Sequence, residues 1–376
     1  MKKKIFEFIK QETVLIVACV LALISTLFVT PDKRYFEYID FRTLGILFSL
    51  MALMAGFQNM GVFEEISRKL LNKIRSIRQL VVTLTLLCFF FSMIITNDVA
   101  LITFVPFTFV LFDMLGQEEE KKRLIPVTVL QTISANLGSM LTPIGNPQNL
   151  YLYGKSGMAF EKFIFLILPY VSLSLIMLLV SSFIIGSSEN KKISVSLTQN
   201  NKEKSTGKLI LYVALFCISI LAVLRVISVG IAFAVTLCAI VIFDRKVLRK
   251  VDYSLLLTFV GFFIFIGNMG RIPMFSSLLQ KYIAGNEVII SVLASQLVSN
   301  VPTALLLSNF TSDIPALIIG TNLGGLGTLI ASMASLISYK FIAQKKNIST
   351  GKYVLYFTIA NIIFLVALML MYVIIR

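Results

Sequence analysis

Asp98 has the clearest potential for chemistry in this chain, because it places a carboxylate inside a run that otherwise suits lipid. Between Leu80 and Leu111 there is no Lys, Arg or Glu, and Asp98 is the only formal charge. A carboxylate at that depth costs on the order of a few kcal/mol, so it is expected to face protein, water or a bound ion. The sequence therefore predicts an ion-coupling or substrate-contacting role for Asp98, with structural pairing to Arg271 as the alternative.

Four polar segments interrupt apolar runs and offer partners for Asp98. Two are short knots, residues 96–98 (Thr-Asn-Asp) and 299–303 (Ser-Asn-Val-Pro-Thr), and two are Pro- or Gly-rich breaks, residues 141–149 and 321–328. Broken backbone at membrane depth is tolerated where it lines a cavity or binds an ion. Hydroxyl, amide and carbonyl oxygens suit Na⁺, and helix N-termini favour anions. The segments predict coupled binding of a cation and a small anion, although Asn, Ser and Thr also link membrane helices structurally.

The composition identifies the class of protein that must hold these segments. Of the 376 residues, 57% are hydrophobic and 14% are charged, and the mean hydropathy is +0.89, far above soluble usage. The chain has no His, which excludes Ser-His-Asp catalysis and His-based proton relays. The four cysteines lie in apolar runs without metal-ligand spacing and are interpreted as packing residues. An all-α polytopic membrane protein is predicted.

Apolar runs of spanning length, each needing about 20 residues, predict about nine full membrane spans. They lie near residues 12–29, 43–62, 125–153, 163–186, 209–226, 229–243, 253–270, 314–339 and 353–375. The runs 125–153 and 314–339 contain the two breaks, so each is predicted to be a broken helix. Residues 64–78 are amphipathic and predict a helix in the cytoplasmic interface.

Two further apolar stretches, residues 80–112 and 287–311, contain the knots and behave differently. The arms on either side of a knot have about 8 to 16 residues, or roughly 12 to 24 Å of helix, short of a hydrocarbon core of about 30 Å. Both are predicted to be re-entrant helical hairpins with the knot at the tip.

The distribution of Lys and Arg supports this topology. With a cytoplasmic N-terminus, nine spans and two hairpins, 25 of the 34 Lys and Arg residues fall on the cytoplasmic side and the C-terminus lies outside. The net charge of +15 is therefore a topology signal, and no nucleic-acid partner is expected.

The two halves of the chain are predicted to be repeats of inverted topology. Three motifs recur in the same order: Asn-Met-Gly at 59 and 268, Thr/Ser-Asn at 96 and 299, and Asn-Leu-Gly at 136 and 322. The predicted division is an N-terminal repeat over residues 1–188, a polar cytoplasmic linker over 189–208, and a C-terminal repeat over 209–376.

Three segments carry a family resemblance. ITNDVALITFVPF (95–107), ANLGSMLTPIGNPQN (135–149) and SQLVSNVPTALLLSNF (295–310) resemble the ion transporter superfamily, in its arsenite permease and citrate transporter-like branch, which is related to divalent anion:sodium symporters. The resemblance covers nearly the whole chain, and it is more specific for the superfamily than for the substrate.

The resemblance implies site residues in both halves. The implied cation sites consist of Ser92, Thr96, Asn97 and Gly145 in the first half, and Ser295, Ser299, Asn300 and Ala331 in the second. The implied residues for substrate binding or proton coupling are Asn97, Asp98, Asn146, Pro147, Asn300, Val301, Thr303 and Ser332.

The chain departs from the dicarboxylate symporters at the third position of each tip. Those symporters have Thr there, whereas this chain has Asp98 in one half and Val301 in the other. A carboxylate would repel a carboxylate substrate unless it were protonated or had a cation beside it. The departure favours arsenite permease-like or antiporter-like members, and proton coupling through Asp98.

Together these observations predict a secondary active transporter, and no enzyme. It would move an organic carboxylate or an inorganic oxyanion, coupled to Na⁺ or H⁺, by the elevator-like alternating access that the resemblance implies. A Na⁺/H⁺ antiporter using Asp98 is the main alternative, and a channel or an intramembrane enzyme is less favoured. No cofactor is expected. The resemblance implies a homodimer, in the plasma or inner membrane of the cell.

Overall fold

The protein is all-helical in this computed structural model, which describes residues 12–186, 206–345 and 348–376. Those residues contain no β-strand, and seven of their helices are long and apolar enough to cross a membrane. The prediction of an all-α polytopic membrane protein is confirmed. The predicted linker, residues 189–208, lies outside the described residues except for its last three positions, which begin a helix.

Residues 12–186, the described part of the first half, contain nine α-helices, which we number in chain order. They are α1 (Thr13–Ser25), α2 (Arg34–Tyr38), α3 (Phe41–Asn59), α4 (Val62–Leu71), α5 (Ile77–Ile95), α6 (Asn97–Leu115), α7 (Gln117–Ser139), α8 (Pro147–Ser156) and α9 (Phe160–Ile185). Side-chain caps set several starts: Asp40 accepts a hydrogen bond from the Thr43 amide at α3 (3.0 Å), and Ser76 accepts one from the Gln79 amide at α5 (3.3 Å).

The described residues from 206 onward also contain nine α-helices, with a 3₁₀ turn at Arg245–Lys250. They are α10 (Thr206–Val223), α11 (Val229–Phe243), α12 (Tyr253–Gly270), α13 (Pro273–Ile283), α14 (Glu287–Val298), α15 (Asn300–Leu307), α16 (Ile314–Leu323), α17 (Met333–Gln344) and α18 (Thr350–Ile375). The two predicted breaks are present, because α7 and α8 are separated by residues 140–146, and α16 and α17 by residues 324–332.

Helices α5 and α6 form the first predicted hairpin, since both of its open ends lie at one face of the bundle. Arg78, in the first turn of α5, lies directly against Gly186 after α9. Lys345, after α17, forms ion pairs with Asp113 near the end of α6 and with Glu120 in the first turn of α7. We call this side the Lys345 face.

Helices α14 and α15 form the second hairpin, which is closed by a hydrogen bond of 3.0 Å from the Thr311 hydroxyl to the Glu287 carboxylate. Its open end lies on the side where Arg376 reaches the Gly285 carbonyl (3.4 Å). We call this side the Arg271 face, because Arg271 follows α12 there.

These contacts pair segments that the charge distribution assigns to the same side of the membrane. They agree with hairpins that open on opposite faces, whereas the identity of the cytoplasmic face stays a prediction.

Three details differ from the sequence predictions. Each arm of the first hairpin has 19 residues, longer than predicted, because α5 starts at a capping serine and α6 continues to Leu115 beyond the apolar run. The predicted amphipathic helix over residues 64–78 ends at Leu71. Of the four cysteines, only Cys88 is buried in the structure, so the packing interpretation holds for that residue alone.

Helix α7 is the helix around which the site is assembled. It packs against α5, α6, α9, α17 and α18, and from Val127 to Met140 every residue is buried. This buried segment is nevertheless rich in Thr, Ser, Gln and Asn, which places hydrogen-bonding groups in the interior and brings residues of both halves together.

Candidate functional site

The tips of the two hairpins have the same unusual backbone conformation. Thr96 has φ 72° and ψ 152°, and Ser299 has φ 75° and ψ 155°. This region of backbone space is essentially restricted to glycine, and another residue there costs about 1 to 3 kcal/mol. Each tip lets a new helix, α6 or α15, start at the adjacent asparagine.

Each tip is fastened by its backbone to the break that follows it. The Asn97 amide donates to the Gly145 carbonyl at 3.1 Å, and the Asn300 amide donates to the Ala331 carbonyl at 3.0 Å. The predicted cation-site residues are therefore brought together in both halves. Gly145 and Ala331 each immediately precede the residue that caps the next helix.

A second pair of matched contacts joins the hairpins to the breaks. The Thr142 hydroxyl donates to the Met93 carbonyl at 2.5 Å, and the Thr328 hydroxyl donates to the Gln296 carbonyl at 3.3 Å. The Gln296 side chain also enters the second break, where it donates to the Leu326 carbonyl (2.9 Å) and accepts from the Thr328 amide (2.9 Å). It satisfies backbone groups that the broken helix leaves open.

Ser92 and Ser295, the remaining predicted cation-site residues, occupy equivalent positions one turn before the tips. Both are fully buried, and their hydroxyls face Gly138 and Gly324, where a Cβ atom would lie 2.6 Å from the hydroxyl oxygen. In the structure they donate within their own helices, to the Phe89 carbonyl (2.9 Å) and to the Ser291 carbonyl (2.7 Å).

Side-chain amides link the two halves at the centre of the molecule. The Asn136 carbonyl oxygen accepts from the Asn97 amide group (3.1 Å) and from the Ser332 hydroxyl (3.0 Å). Across the centre, the Asn146 amide group donates to the Asn322 carbonyl oxygen at 3.1 Å. Because Asn136 corresponds to Asn322 and Asn146 corresponds to Ser332 in the two halves, these cross-links are equivalent to each other.

The central amides include residues that the sequence analysis did not assign to the site. In the sequence, the recurrence of Asn136 as Asn322 indicates only a repeat. Asn149, which accepts from the Asn322 amide group at 2.6 Å, was seen only as part of a break. Their recurrence at matched positions is the signal that could have identified Asn136 and Asn322.

Asp98 lies half-buried in the first turn of α6. Its backbone amide donates to the Asn97 side chain (2.9 Å), and its carboxylate makes no hydrogen bond or ion pair with the residues that the structure describes. Arg271 instead forms an ion pair with Asp32 (2.9 Å) and a hydrogen bond with Tyr38 (3.1 Å), which together raise its pKa. Arg271 is therefore not the partner of Asp98.

The other predicted substrate residues have different surroundings. Pro147 is the first residue of α8, where its missing amide hydrogen is harmless. Val301 is buried in α15, and the Thr303 hydroxyl is buried and donates to the Ser299 carbonyl within its own helix (2.8 Å). These two side chains support the second tip.

The arrangement places four helix N-termini around one centre, those of α6, α8, α15 and α17. The aligned dipoles of these helices favour an anion at the centre, although the Asn97 and Asn300 amides are already bonded to the breaks. Hydroxyl, amide and backbone oxygens surround the same centre. Across the described ranges, no group of three or more His, Cys, Asp or Glu residues could hold a metal ion. The site is suited to binding an ionic solute without covalent chemistry.

Comparison with known proteins assigns the chain to a family. A family model described as "Citrate transporter" matches residues 5–316. An uncharacterized transporter of Methanocaldococcus jannaschii is 31% identical over 348 residues, 92% of this chain and 93% of that protein. The inner membrane protein YbiR of Escherichia coli is 29% identical over 324 residues, 84% of this chain and 83% of that protein. The silicon efflux transporter LSI3 of rice, Oryza sativa, is 31% identical over 141 residues, 38% of this chain and 28% of that protein. The chain thus belongs to the citrate transporter family and is a multi-pass membrane transporter rather than an enzyme.

Proposed function

We propose that this transporter moves a small anion, an organic carboxylate or an inorganic oxyanion, coupled to Na⁺ or H⁺. The observation that carries the proposal is the meeting of two matched hairpin tips with two matched helix breaks. This geometry directs four helix N-termini at one centre and surrounds it with oxygen ligands. The anion would lie at the helix N-termini, and each cation beside a tip.

The proposed mechanism is alternating access by an elevator-like movement. The hairpins and broken helices, α5 to α8 and α14 to α17, would move as one body, because the amide cross-links join their halves at the centre. The remaining long helices would form the scaffold and, in a homodimer, the interface between subunits. The predicted inverted repeats would suit this mechanism, since exchanging the conformations of two inverted halves exchanges the side to which the site opens.

Transport into proteoliposomes tests the proposal, with radiolabelled citrate as the first probe and sulfate as a second anion. We expect accumulation driven by an imposed Na⁺ or pH gradient. Asn97→Ala and Asn300→Ala should each lower this uptake at least tenfold. Asn268→Ala is the matched control, because Asn268 is also a fully buried amide but bonds to Ser25 and Tyr35 outside the site. Wild-type uptake by both tip variants would refute the site assignment.

A Na⁺/H⁺ antiporter is the second candidate function, and Asp98 is the observation that favours it. Its carboxylate stands beside the first cation site without a hydrogen-bond donor from the described residues, so it could bind Na⁺ and a proton alternately. Sodium flux driven by a pH gradient in the absence of any anion, and lost in Asp98→Asn, would favour the antiporter. Thermal stabilisation by Na⁺ that increases further with one anion would favour coupled anion transport.

A further inference from the structure

A seam of buried hydroxyl groups runs between α7 and α17, and the proposed function uses only its inner end, the contact between Asn136 and Ser332. On α7 it contains Thr128, Thr132 and Asn136, which share one helix face at intervals of four residues. From α17 it contains Ser335 and Ser338, together with Ser332 at the N-cap of that helix, at intervals of three residues. Tyr353 on α18 completes it, and each of these seven side chains is more than nine-tenths buried. We call this set the hydroxyl seam.

Two direct hydrogen bonds cross the hydroxyl seam. The Ser332 hydroxyl donates to Asn136 at 3.0 Å, and the Thr132 hydroxyl bonds to the Ser338 hydroxyl at 2.7 Å. Tyr353 lies beside Thr132 and Ser338 on the α18 side, but its hydroxyl forms no hydrogen bond with the described residues. The seam therefore extends from the central amides to the first turn of α18, near the Lys345 face.

Several polar atoms in the seam have no hydrogen-bond partner among the described residues. They are Oγ1 of Thr128, Nδ2 of Asn136, Oγ of Ser335 and the hydroxyl oxygen of Tyr353. Buried polar groups in folded proteins are almost always hydrogen-bonded, to protein or to ordered water. Four unpaired groups along one seam thus indicate ordered water molecules that bridge them.

The corresponding interface, between α16 and α8, shows that packing does not require these hydroxyls. There α16 packs against α8, and the amide pair Asn322–Asn146 corresponds to Asn136–Ser332. The positions that correspond to Thr128, Thr132 and Ser338 are occupied by Ile314, Ile318 and Leu152, all buried. The same backbone arrangement is therefore stable with aliphatic side chains, and the hydroxyls on one side require another explanation.

We propose that the hydroxyl seam is a hydrated path that carries protons between the Lys345 face and the central amides. Asn136 at its inner end bonds to Asn97, which is adjacent to Asp98 in the chain. Each hydroxyl or water oxygen in the path accepts a proton from one neighbour and releases another to the next. The carboxylate of Asp98 is the terminal acceptor, and the proton reaches it from the seam through water, because the amide side chains of Asn136 and Asn97 do not relay protons. The proton path itself does not depend on the proposed function. The inference rests on that function only for the statement that the arriving proton drives transport.

Hydration of the seam is tested by cysteine labelling in a variant that lacks the four native cysteines. Ser335→Cys should react with methyl methanethiosulfonate at least ten times faster than Ser174→Cys, since a thiol is deprotonated and reactive only where water reaches it. Ser174 is the matched control, because its hydroxyl is also fully buried but is bonded to the Tyr170 carbonyl at 2.6 Å. Equally slow labelling at both positions would overturn the proposal.

Proton conduction is tested with pyranine trapped in proteoliposomes, by following proton entry after a pH jump. Thr132→Val, and Ser338→Ala as a second variant, should lower proton entry at least fivefold without changing citrate binding measured by equilibrium dialysis. Thr258→Val is the control, because Thr258 is buried in α12 and donates to its own helix as Thr132 does.

The two proposals fail in different ways. Protein-mediated proton entry that is absent in the wild type, or unchanged in Thr132→Val and Ser338→Ala, would overturn the proton path. Proton entry that depends on Thr132 in a protein that neither binds nor moves an anion would support the seam and refute the anion transport.

Discussion

Replacing Thr96 by glycine should stabilise the protein and impair its function at the same time. Thr96 has φ 72° and ψ 152°, a conformation that costs a residue other than glycine about 1 to 3 kcal/mol. Its side chain makes no capping hydrogen bond, so truncation removes no native bond of that kind. Glycine loses about 0.5 to 1 kcal/mol more conformational entropy on folding. The expected net gain in the free energy of unfolding is therefore about 0 to 2.5 kcal/mol.

The same substitution removes a proposed cation ligand. Uptake driven by a cation gradient should fall at least tenfold, and thermal stabilisation by Na⁺ should be lost. Ser299→Gly should behave alike with a smaller gain in stability, because Ser299 donates a long hydrogen bond of 3.4 Å to the Ala331 carbonyl. Thr96→Ser is the matched control, since it keeps both the hydroxyl and the backbone strain.

The measurement combines reversible unfolding in mixed micelles with proteoliposome uptake for the same variants. A loss of stability in Thr96→Gly would show that the tip is not strained. If Thr96→Gly gained stability and kept full cation-dependent uptake, the Thr96 hydroxyl would not be a cation ligand, and cation binding would not explain why threonine occupies a glycine-like conformation. Either result would refute the link between strain and cation binding at the tips.

Two further experiments, a glycine substitution and a double-mutant cycle, test how the hairpins and the halves are held together. Gly138→Ala should destabilise the protein by about 2 kcal/mol or more in the unfolding assay, because a Cβ atom there would lie 2.1 Å from the Phe89 carbonyl oxygen. Gly154→Ala is the control and should be neutral or stabilising. A Cβ atom at Gly154 would have only the Thr43 hydroxyl within 4 Å, at 3.9 Å. A double-mutant cycle with Asn136→Ala and Ser332→Ala should give a coupling energy of about 0.5 to 3 kcal/mol, whereas a cycle that pairs Asn136→Ala with Asn268→Ala should be additive to within about 0.5 kcal/mol.

The helix breaks and the hairpin tips could be predicted because they depend on local chemistry. Pro143, Pro147 and the glycines cannot continue a helix, and a charge such as Asp98 is out of place in an apolar run. The structure places the first tip at Thr96, inside the predicted knot, and the first break at residues 140–146, one residue earlier than the start of the predicted segment 141–149.

The lengths of the hairpin arms could not be predicted in the same way. Hydropathy measures how far the apolar run extends, but a helix continues into the interface until a cap or a glycine ends it. Helix α6 ends at Leu115 before Gly116, which has φ 96°. The partner of Arg271 was missed for a different reason, because Asp32 belongs to a distant segment that only the packing of α12 against α1 brings close.

The amide cross-links at the centre were beyond sequence reasoning for a similar reason. Helical periodicity places Asn136 and Asn322 on their own helices, but it does not show that each faces the other half. The contacts Asn136–Ser332 and Asn146–Asn322 join residues far apart in sequence. They exist only once two broken helices are packed against each other.

The two halves share the backbone contacts that hold the site, and they differ in the side chains around it. The contacts of Asn97 with Gly145 and of Asn300 with Ala331 use backbone atoms. This backbone arrangement can therefore persist while the side chains change. The side chains do change, from Val301 to Asp98 at the tip and from Ile318 to Thr132 along the seam. Packing cannot account for these differences, because the aliphatic versions are buried in the same frame. Asp98 follows Asn97, which bonds to the inner end of the hydroxyl seam, so the acid and the proposed path to it lie on the same side of the site. This asymmetry predicts that a proton enters and leaves the site along the α7–α17 seam, on the side of Asp98, and not between α16 and α8.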